Sequence, residues 1–179
     1  MVLRFHVWLV VGLLAGCSGC GPDTIGRDWK RVEPPVEAPD FTLPALDGQP
    51  VALPTLRGRI VIMEFWATWC GPCRFSLPSL DVIYKRYRDR GVTVLLINEG
   101  EEAGRVRKWA QRRFTAPILL DGDLSAGNRY NVQGIPRLFI LNQDGRVVYR
   151  HSGYGGGLER NLSLILEGML APQQPIQNR

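Results

Sequence analysis

A nearly continuous apolar run, RIVIMEFWA at residues 59–67, constrains the fold more than any other segment. β-Branched and aromatic residues dominate it, without alternation between apolar and polar positions. Strands of this kind are covered on both faces, and they occur mainly where helices pack on both sides of a sheet. The run therefore predicts the central strand of an α/β domain.

Segments typical of strands and of helices alternate beyond this run. Further strands are predicted at residues 92–97, 116–121, 137–141 and 146–151. Helices or helical turns are predicted at residues 76–91, 101–114, 124–132 and 157–170. Ahead of the run, residues 41–53 indicate a hairpin with Asp47-Gly48 at its turn. The order predicts a central mixed β-sheet flanked by helices.

The chain has 179 residues, of which 45% are hydrophobic and 22% charged, a composition that suits one globular domain. We expect this domain at residues 39–170. Residues 18–38 are rich in Gly and Pro and lack periodicity, so a flexible tether is predicted there, and a disordered tail at 171–179. The net charge of +5 is spread along the chain, so nucleic-acid binding is not expected.

The N-terminus has the pattern of an export signal. A short basic start precedes an apolar run of about ten residues, which is too short for a permanent membrane span. The run ends in LAGC at residues 14–17, which resembles the lipobox of bacterial lipoproteins. That resemblance implies a signal peptide at residues 1–17 and lipid attachment at Cys17. An ordinary cleaved signal, which would leave a soluble periplasmic protein, is the alternative. In both cases the protein acts outside the cytoplasm, where disulfides persist.

Cys70 and Cys73 form a C-x-x-C pair directly after the predicted central strand. A structural zinc site needs four ligands, and the other two cysteines lie in the leader region, while His6 and His151 suggest no ligand set. No metal is therefore expected. A structural disulfide between the two cysteines would close a loop of two residues and constrain the unfolded chain little. A redox-active dithiol, which needs no other cofactor, explains the context better.

The position of the pair supports redox chemistry. Cys70 stands where a helix is predicted to begin, and the free N–H groups and positive dipole end there stabilise a thiolate. Gly71-Pro72 keeps the turn tight, and Pro72 suits an early helical position. Cys73 lies one turn further along, where it can resolve a mixed disulfide.

The segment EFWATWCGPC resembles the active site of the thioredoxin superfamily, and GIPRLFI at residues 134–140 is similar to the segment with that fold's cis-proline. The resemblance covers residues 39–170. The leader with its tether, the hairpin segment 38–59 and the central insert 99–123 are more narrowly similar to TlpA/ResA-like extracytoplasmic thioredoxins. The resemblance implies a thioredoxin-like fold with an N-terminal β-hairpin extension and a central insert. It also implies a disulfide reductase outside the cytoplasm, often serving cytochrome c maturation.

Roles for individual residues follow from the same resemblance. Cys70 would attack a client disulfide and Cys73 would resolve the intermediate. The implied substrate-binding residues are Trp69, Gly71, Pro72, Ile135 and Pro136. Ile135 would pair with the client backbone in the manner of a β-strand, and Pro136 would be cis. The implied partners are client proteins with disulfides and a membrane thiol electron donor, and we expect a monomer.

Glu64 interrupts the apolar run six residues before Cys70. A carboxylate buried there is costly unless it is paired or protonated, so its pKa should rise. Such a group beside Cys73 could take and return the proton of the resolving thiol, and its position matches the buried acid of thioredoxins. Alternatively, Glu64 faces solvent at an edge or pairs with a Lys or Arg.

Two residues depart from the TlpA/ResA-like pattern. Ser76 stands where many members have Glu, and Arg137 follows Pro136 where Thr is commoner. Arg137 could lower the pKa of Cys70 or favour acidic partners, or it could simply be an exposed arginine at the start of a strand.

Two other functional classes fit the sequence less well. A peroxiredoxin-like peroxidase needs Thr three residues before its cysteine, whereas Thr68 is two before Cys70. An Sco-like copper-delivery protein needs a C-x-x-x-C spacing, which is absent, although His151 stays unassigned.

Overall fold

The computed structural model describes residues 25–26, 28–110 and 112–171. The strands are β1 (Trp29–Glu37), β2 (Thr42–Pro44), β3 (Pro50–Ala52), β4 (Ile60–Trp66), β5 (Val92–Glu99), β6 (Ile118–Asp121), β7 (Arg137–Leu141) and β8 (Arg146–Ser152). The helices are α1 (Cys73–Tyr87), α2 (Ala103–Ala110), α3 (Ser125–Arg129) and α4 (Leu158–Leu170). Short 3₁₀ turns occupy Leu53–Leu56 and Arg88–Arg90.

Six strands form one sheet in the order β1-β8-β7-β4-β5-β6. β4 is parallel to β5 and antiparallel to β7, so the sheet is mixed, as the sequence predicts. Every residue of β4 is buried, which confirms the predicted central strand. β2 and β3 pair as a separate antiparallel hairpin, and Gly48 in its turn has φ of 91°, a conformation that favours glycine.

The sheet separates two apolar layers. On one face α1 and α4 pack over residues that include Ile62, Trp66 and Leu138. On the other face the β2–β3 hairpin and α3 cover Met63 and Phe65. Because side chains alternate along a strand, Glu64 of β4 faces the same layer as Ile62 and Trp66. This layer also contains Cys70 and Cys73.

The tether predicted at residues 18–38 is wrong over its second half. Trp29–Glu37 form the edge strand β1, which pairs antiparallel with β8. Trp29 is 9% exposed, and its ring lies 4.7 Å from that of His151. Two prolines at 34 and 35 fall where the pairing register shifts, and an edge strand tolerates proline at such an irregularity. The folded unit therefore begins near residue 29 rather than at 39.

The helices predicted at residues 101–114 and 124–132 are shorter in the structure, at Ala103–Ala110 and Ser125–Arg129. The helix expected at 76–91 begins earlier, at Cys73, and ends at Tyr87. No helix in the described ranges has the length and apolar character that a membrane span requires. The predicted signal peptide, Cys17, residues 18–24 of the tether and residues 172–179 of the tail lie outside the described residues.

Candidate active site

Cys70 and Cys73 form a disulfide at the point where β4 ends and α1 begins. Cys70 lies in the turn before the helix, and the backbone N–H of Cys73 donates a hydrogen bond to its Sγ at 3.2 Å. Cys70 is 4% exposed, whereas Cys73 is fully buried. A donor aimed at Cys70 Sγ stabilises a thiolate there. The geometry thus suits Cys70 as the attacking sulfur and Cys73 as the resolving one.

An exposed aromatic surface surrounds the pair. Trp69, immediately before Cys70, is 68% exposed, and Gly71-Pro72 form an exposed turn. Phe75 of α1 and Tyr154 of the β8–α4 loop are both exposed, and their rings stack at 5.7 Å. The sequence patterns did not indicate the stacking of Phe75 on Tyr154, because the two residues are distant in the chain. Together these residues offer an apolar contact surface beside the disulfide.

Ile135 and Pro136 form the loop before β7, and the peptide bond between them is cis, as the resemblance implies. Pro136 is buried, while Ile135 is partly buried and packs against the core cluster that contains Cys70 and Cys73. The Pro136 carbonyl accepts a hydrogen bond from Gly153 N–H at 2.9 Å. Within the described residues, the N–H and C=O of Ile135 have no backbone partner. These two groups are therefore free to pair with an extended peptide.

Glu64 is 1% exposed, in the layer that holds the cysteines. Desolvation raises its pKa to about 8, although a hydrogen bond from Ser76 lowers it in part. No ion pair to Glu64 occurs in the part of the chain that the structure describes. The predicted burial is confirmed, and an exposed or ion-paired Glu64 is excluded by this geometry.

Ser76 links Glu64 to the resolving cysteine. The Ser76 hydroxyl lies 2.6 Å from Glu64 Oε1 and 3.2 Å from the carbonyl oxygen of Cys73, and Ser76 itself is buried. A hydroxyl has one proton to donate but can also accept. When Glu64 is ionised, the hydroxyl donates to the carboxylate; when Glu64 is protonated, it can accept from Glu64 and donate to the Cys73 carbonyl. Ser76, which departs from the family pattern, is therefore the hydrogen-bond partner of the buried acid.

Glu101 holds the loop that precedes Cys70. Its carboxylate accepts hydrogen bonds from Thr68 N–H at 2.6 Å, Thr68 Oγ1 at 2.6 Å and Asn98 Nδ2 at 2.8 Å. Burial raises the pKa of Glu101, but these hydrogen bonds outweigh it and hold the pKa below its usual value. Arg74 also donates to the Thr68 carbonyl at 3.1 Å. The sequence patterns missed this role, because Glu101 fitted the first turn of a helix and its partner lies 33 residues away.

The redoxin family profile matches residues 35–162. This chain belongs to the redoxin family. The match includes β4, the cysteine pair, the central insert and the cis-proline loop. It therefore covers nearly all of the folded unit.

ResA proteins are among the relatives. The chain is 38% identical over 111 residues to thiol-disulfide oxidoreductase ResA of Geobacillus thermodenitrificans, a match that covers 62% of this chain and 64% of the relative. It is 30% identical over 122 residues to ResA of Bacillus anthracis, covering 68% and 70% of the two chains. The match thus spans slightly less than two thirds of the Geobacillus protein and slightly more than two thirds of the Bacillus anthracis protein. The resemblance to ResA is confirmed.

Solved structures confirm the thioredoxin-like fold. A candidate thiol:disulfide interchange protein DsbE from Chlorobium tepidum is 30% identical with a TM-score of 0.72, over 76% of this chain and 97% of that chain. A thioredoxin family thiol:disulfide interchange protein from the same species is 27% identical with a TM-score of 0.68, over the same shares.

Proposed function

We propose that the protein is a thiol-disulfide oxidoreductase that reduces disulfides in client proteins. One observation carries this proposal: the Cys70–Cys73 pair has one slightly exposed and one buried sulfur, next to a cis-proline loop whose Ile135 backbone groups are free. The names of the ResA and DsbE relatives agree with this reaction class. Both thiols, rather than a bound group, supply the electrons.

The reaction begins with the reduced pair. The Cys70 thiolate attacks one sulfur of a client disulfide, a mixed disulfide forms, and the other client sulfur leaves as a thiolate. Cys73 then loses its proton and attacks Cys70 Sγ, which releases the second client thiolate and forms the Cys70–Cys73 disulfide. Two electrons pass to the client. We propose that Glu64 takes the Cys73 proton; with a pKa of about 8, a minor fraction of it is ionised near neutral pH.

We further propose that the enzyme works outside the cytoplasm, anchored through a lipid on Cys17, as the LAGC motif suggests. A membrane thiol carrier would return electrons to the pair, and cytochrome c maturation is one setting for the clients. Cys17→Ala should release the protein from membranes. Continued membrane retention of that variant would exclude lipidation at Cys17.

Trapping tests the reaction itself. In Cys73→Ser the second step cannot occur, so a client should remain on Cys70 as a mixed disulfide that a reductant releases. Cys70→Ser is the matched control, because its one remaining thiol, on Cys73, is buried. Equal amounts of trapped protein on both variants, or none on Cys73→Ser, would contradict the proposal.

A further inference from the structure

Three cations lie on one face of the sheet beside the cis-proline loop. Lys30 of β1 stands directly opposite Arg150 of β8, and Arg150 stands opposite Phe139 of β7. Arg137 precedes Phe139 by two residues, so its side chain is on the same face, with its guanidinium 5.3 Å from the Phe139 ring centre. We call Lys30, Arg150 and Arg137 the cationic strip.

The strip lacks anionic partners. Other arginines of these strands have them: Arg31 pairs with Glu33 and Arg146 with Glu37. Among the described residues, no ion pair involves Lys30, Arg150 or Arg137.

The acid nearest in sequence is turned elsewhere. Asp28 directly precedes β1, but its Oδ2 lies against Gly155 of the β8–α4 loop, 3.2 Å from where a Cβ on that glycine would be. Among the described residues, Asp28 forms no ion pair with the strip.

Folding stability does not account for this arrangement. Like charges directly opposite each other in a sheet are destabilising, and Lys30 faces Arg150. Arg137 Nε is buried without a hydrogen-bond partner, which also costs free energy. Burial lowers the pKa of Arg137, and repulsion from Arg150 lowers it further. Besides its contact with the Phe139 ring, this guanidinium donates a hydrogen bond to Ser152 Oγ.

The strip ends in a cavity beside the cis-proline loop, to which the proposed function assigns client binding. A cavity of about 440 Å³ beside the cis-proline has no acidic residue in its lining. The lining residues are Asn131, Gln133, Gly134, Ile135, Pro136, Arg137, Ser152 and Gly153. Because the free backbone groups of Ile135 border this cavity, a peptide paired there would pass next to Arg137.

We infer that the cationic strip binds carboxylate side chains of the client, and that the enzyme prefers disulfides flanked by acidic residues. The inference rests on the proposed function for the identity of the client site. A carboxylate in the cavity would accept hydrogen bonds from the terminal N–H groups of the Arg137 guanidinium. A client cysteine at Cys70 and a backbone paired with Ile135 belong to one extended segment, so the acids are expected close to the reactive cysteine in the client sequence. Lys30 and Arg150 would attract acids further along the segment.

Matched peptides test this preference. Two short peptides are compared, each with one cysteine that forms a mixed disulfide with mercaptoethanol. They are identical except that the positions flanking this cysteine are Glu in one peptide and Gln in the other. The reduced full-length protein should reduce the Glu peptide with a kcat/KM about tenfold higher than the Gln peptide, in the range expected for a charge-assisted hydrogen bond. The preference should fall as salt is raised from about 0.05 M to 0.5 M.

Variants assign the preference to the strip. The ratio of the two kcat/KM values should fall to about twofold or less in Arg137→Gln, and any loss common to both peptides cancels in that ratio. Lys108→Gln, which removes an exposed charge on α2, is the charge-matched control and should keep the wild-type ratio. Equal kcat/KM values in the wild-type protein, or a preference that survives in Arg137→Gln, would overturn the inference.

Binding without redox chemistry separates the inference from the proposed function. The same peptides with Ser in place of Cys should bind the oxidised protein with the same preference for Glu, which Arg137→Gln should remove. If neither disulfide peptide is reduced, the proposed reductase function fails, while the Ser peptides still decide whether the strip binds acids. Binding to vesicles with anionic lipids through the strip, without any preference between the peptides, would also overturn the inference.

Discussion

At the scale of single residues, the Glu64–Ser76 pair gives this site its chemical character. A fully buried carboxyl group in the layer that holds Cys73 must be neutral or well hydrogen-bonded. Ser76 provides the hydrogen bond, at 2.6 Å, without adding a second charge. A Glu at position 76 would place two carboxyl groups in one dry layer. The single acid and the hydroxyl therefore form a proton site with a pKa of about 8.

Glu64→Gln should change how stability depends on pH. The folded-state pKa of about 8 lies above the ordinary value of 4.5, so the native state holds a proton that the unfolded chain releases between these values. Stability therefore falls as pH rises from about 4.5 to 8, by roughly 3–5 kcal/mol for a shift of this size. Urea unfolding of the oxidised protein at about pH 5 and pH 8 should show this fall in wild type but not in Glu64→Gln. Glu102→Gln, which changes an exposed glutamate, is the control and should lose stability with pH as wild type does. A loss of stability of unchanged size in Glu64→Gln would contradict its assignment to Glu64.

Ser76→Ala should move the pH profile of catalysis upward. The Ser76 hydrogen bond lowers the pKa of Glu64, so its removal raises that pKa further and leaves less carboxylate to accept the Cys73 proton. The rate at which the reduced enzyme is oxidised by a client disulfide should show an inflection near pH 8 in wild type, a higher inflection in Ser76→Ala, and no such inflection in Glu64→Gln. A profile shared by all three proteins would remove both residues from proton transfer.

At the scale of elements, β1 completes the sheet and links the N-terminal segment to the core. Trp29 and Val32 of this strand are buried, and the pairing with β8 covers a sheet edge that would otherwise be open. β1 also carries Lys30, and therefore supplies one end of the cationic strip. The segment that leads towards the membrane in our proposal is thus bound to the domain from residue 29 onward.

Trp29→Ala should destabilise the fold by about 3 kcal/mol, because it removes a large side chain from the layer under α4. Trp69→Ala is the matched control: Trp69 is 68% exposed, so its truncation should change stability by about 0.5 kcal/mol or less. Denaturant unfolding measures both. Similar stabilities of Trp29→Ala and wild type would show that residues 29–37 act as the tether that the sequence suggested.

Local patterns in the sequence predicted the elements that depend on neighbouring residues. The apolar run of β4, the C-x-x-C pair at the start of α1 and the hairpin turn at Gly48 are all set by short segments, and each is where the sequence places it. β1 was missed because its prolines are typical of a linker and its partner β8 lies more than a hundred residues away. The role of Glu101 in holding Thr68 was missed for the same reason, because hydrogen bonds between distant segments leave no periodic signal in the sequence.

At the scale of the whole molecule, the basic charge is organised by the fold. Along the sequence the Lys and Arg residues are dispersed, but the sheet brings Lys30, Arg150 and Arg137 together beside the cis-proline loop. The disulfide and this strip lie at one end of the sheet but on opposite faces: the cysteines lie in the layer of Trp66, and the strip lies on the face of Phe139. A protein that donates electrons to acidic client segments would use both.

The reduction potential of the Cys70–Cys73 pair tests the central claim most directly. Equilibration of the full-length protein with glutathione buffers gives the potential, and the fraction of oxidised protein can be followed by thiol alkylation. The Gly-Pro dipeptide between the cysteines resembles that of reductants such as thioredoxin, at about −270 mV, so we expect a value below about −200 mV. A value near −120 mV, that of a strong oxidant, would contradict a reductase.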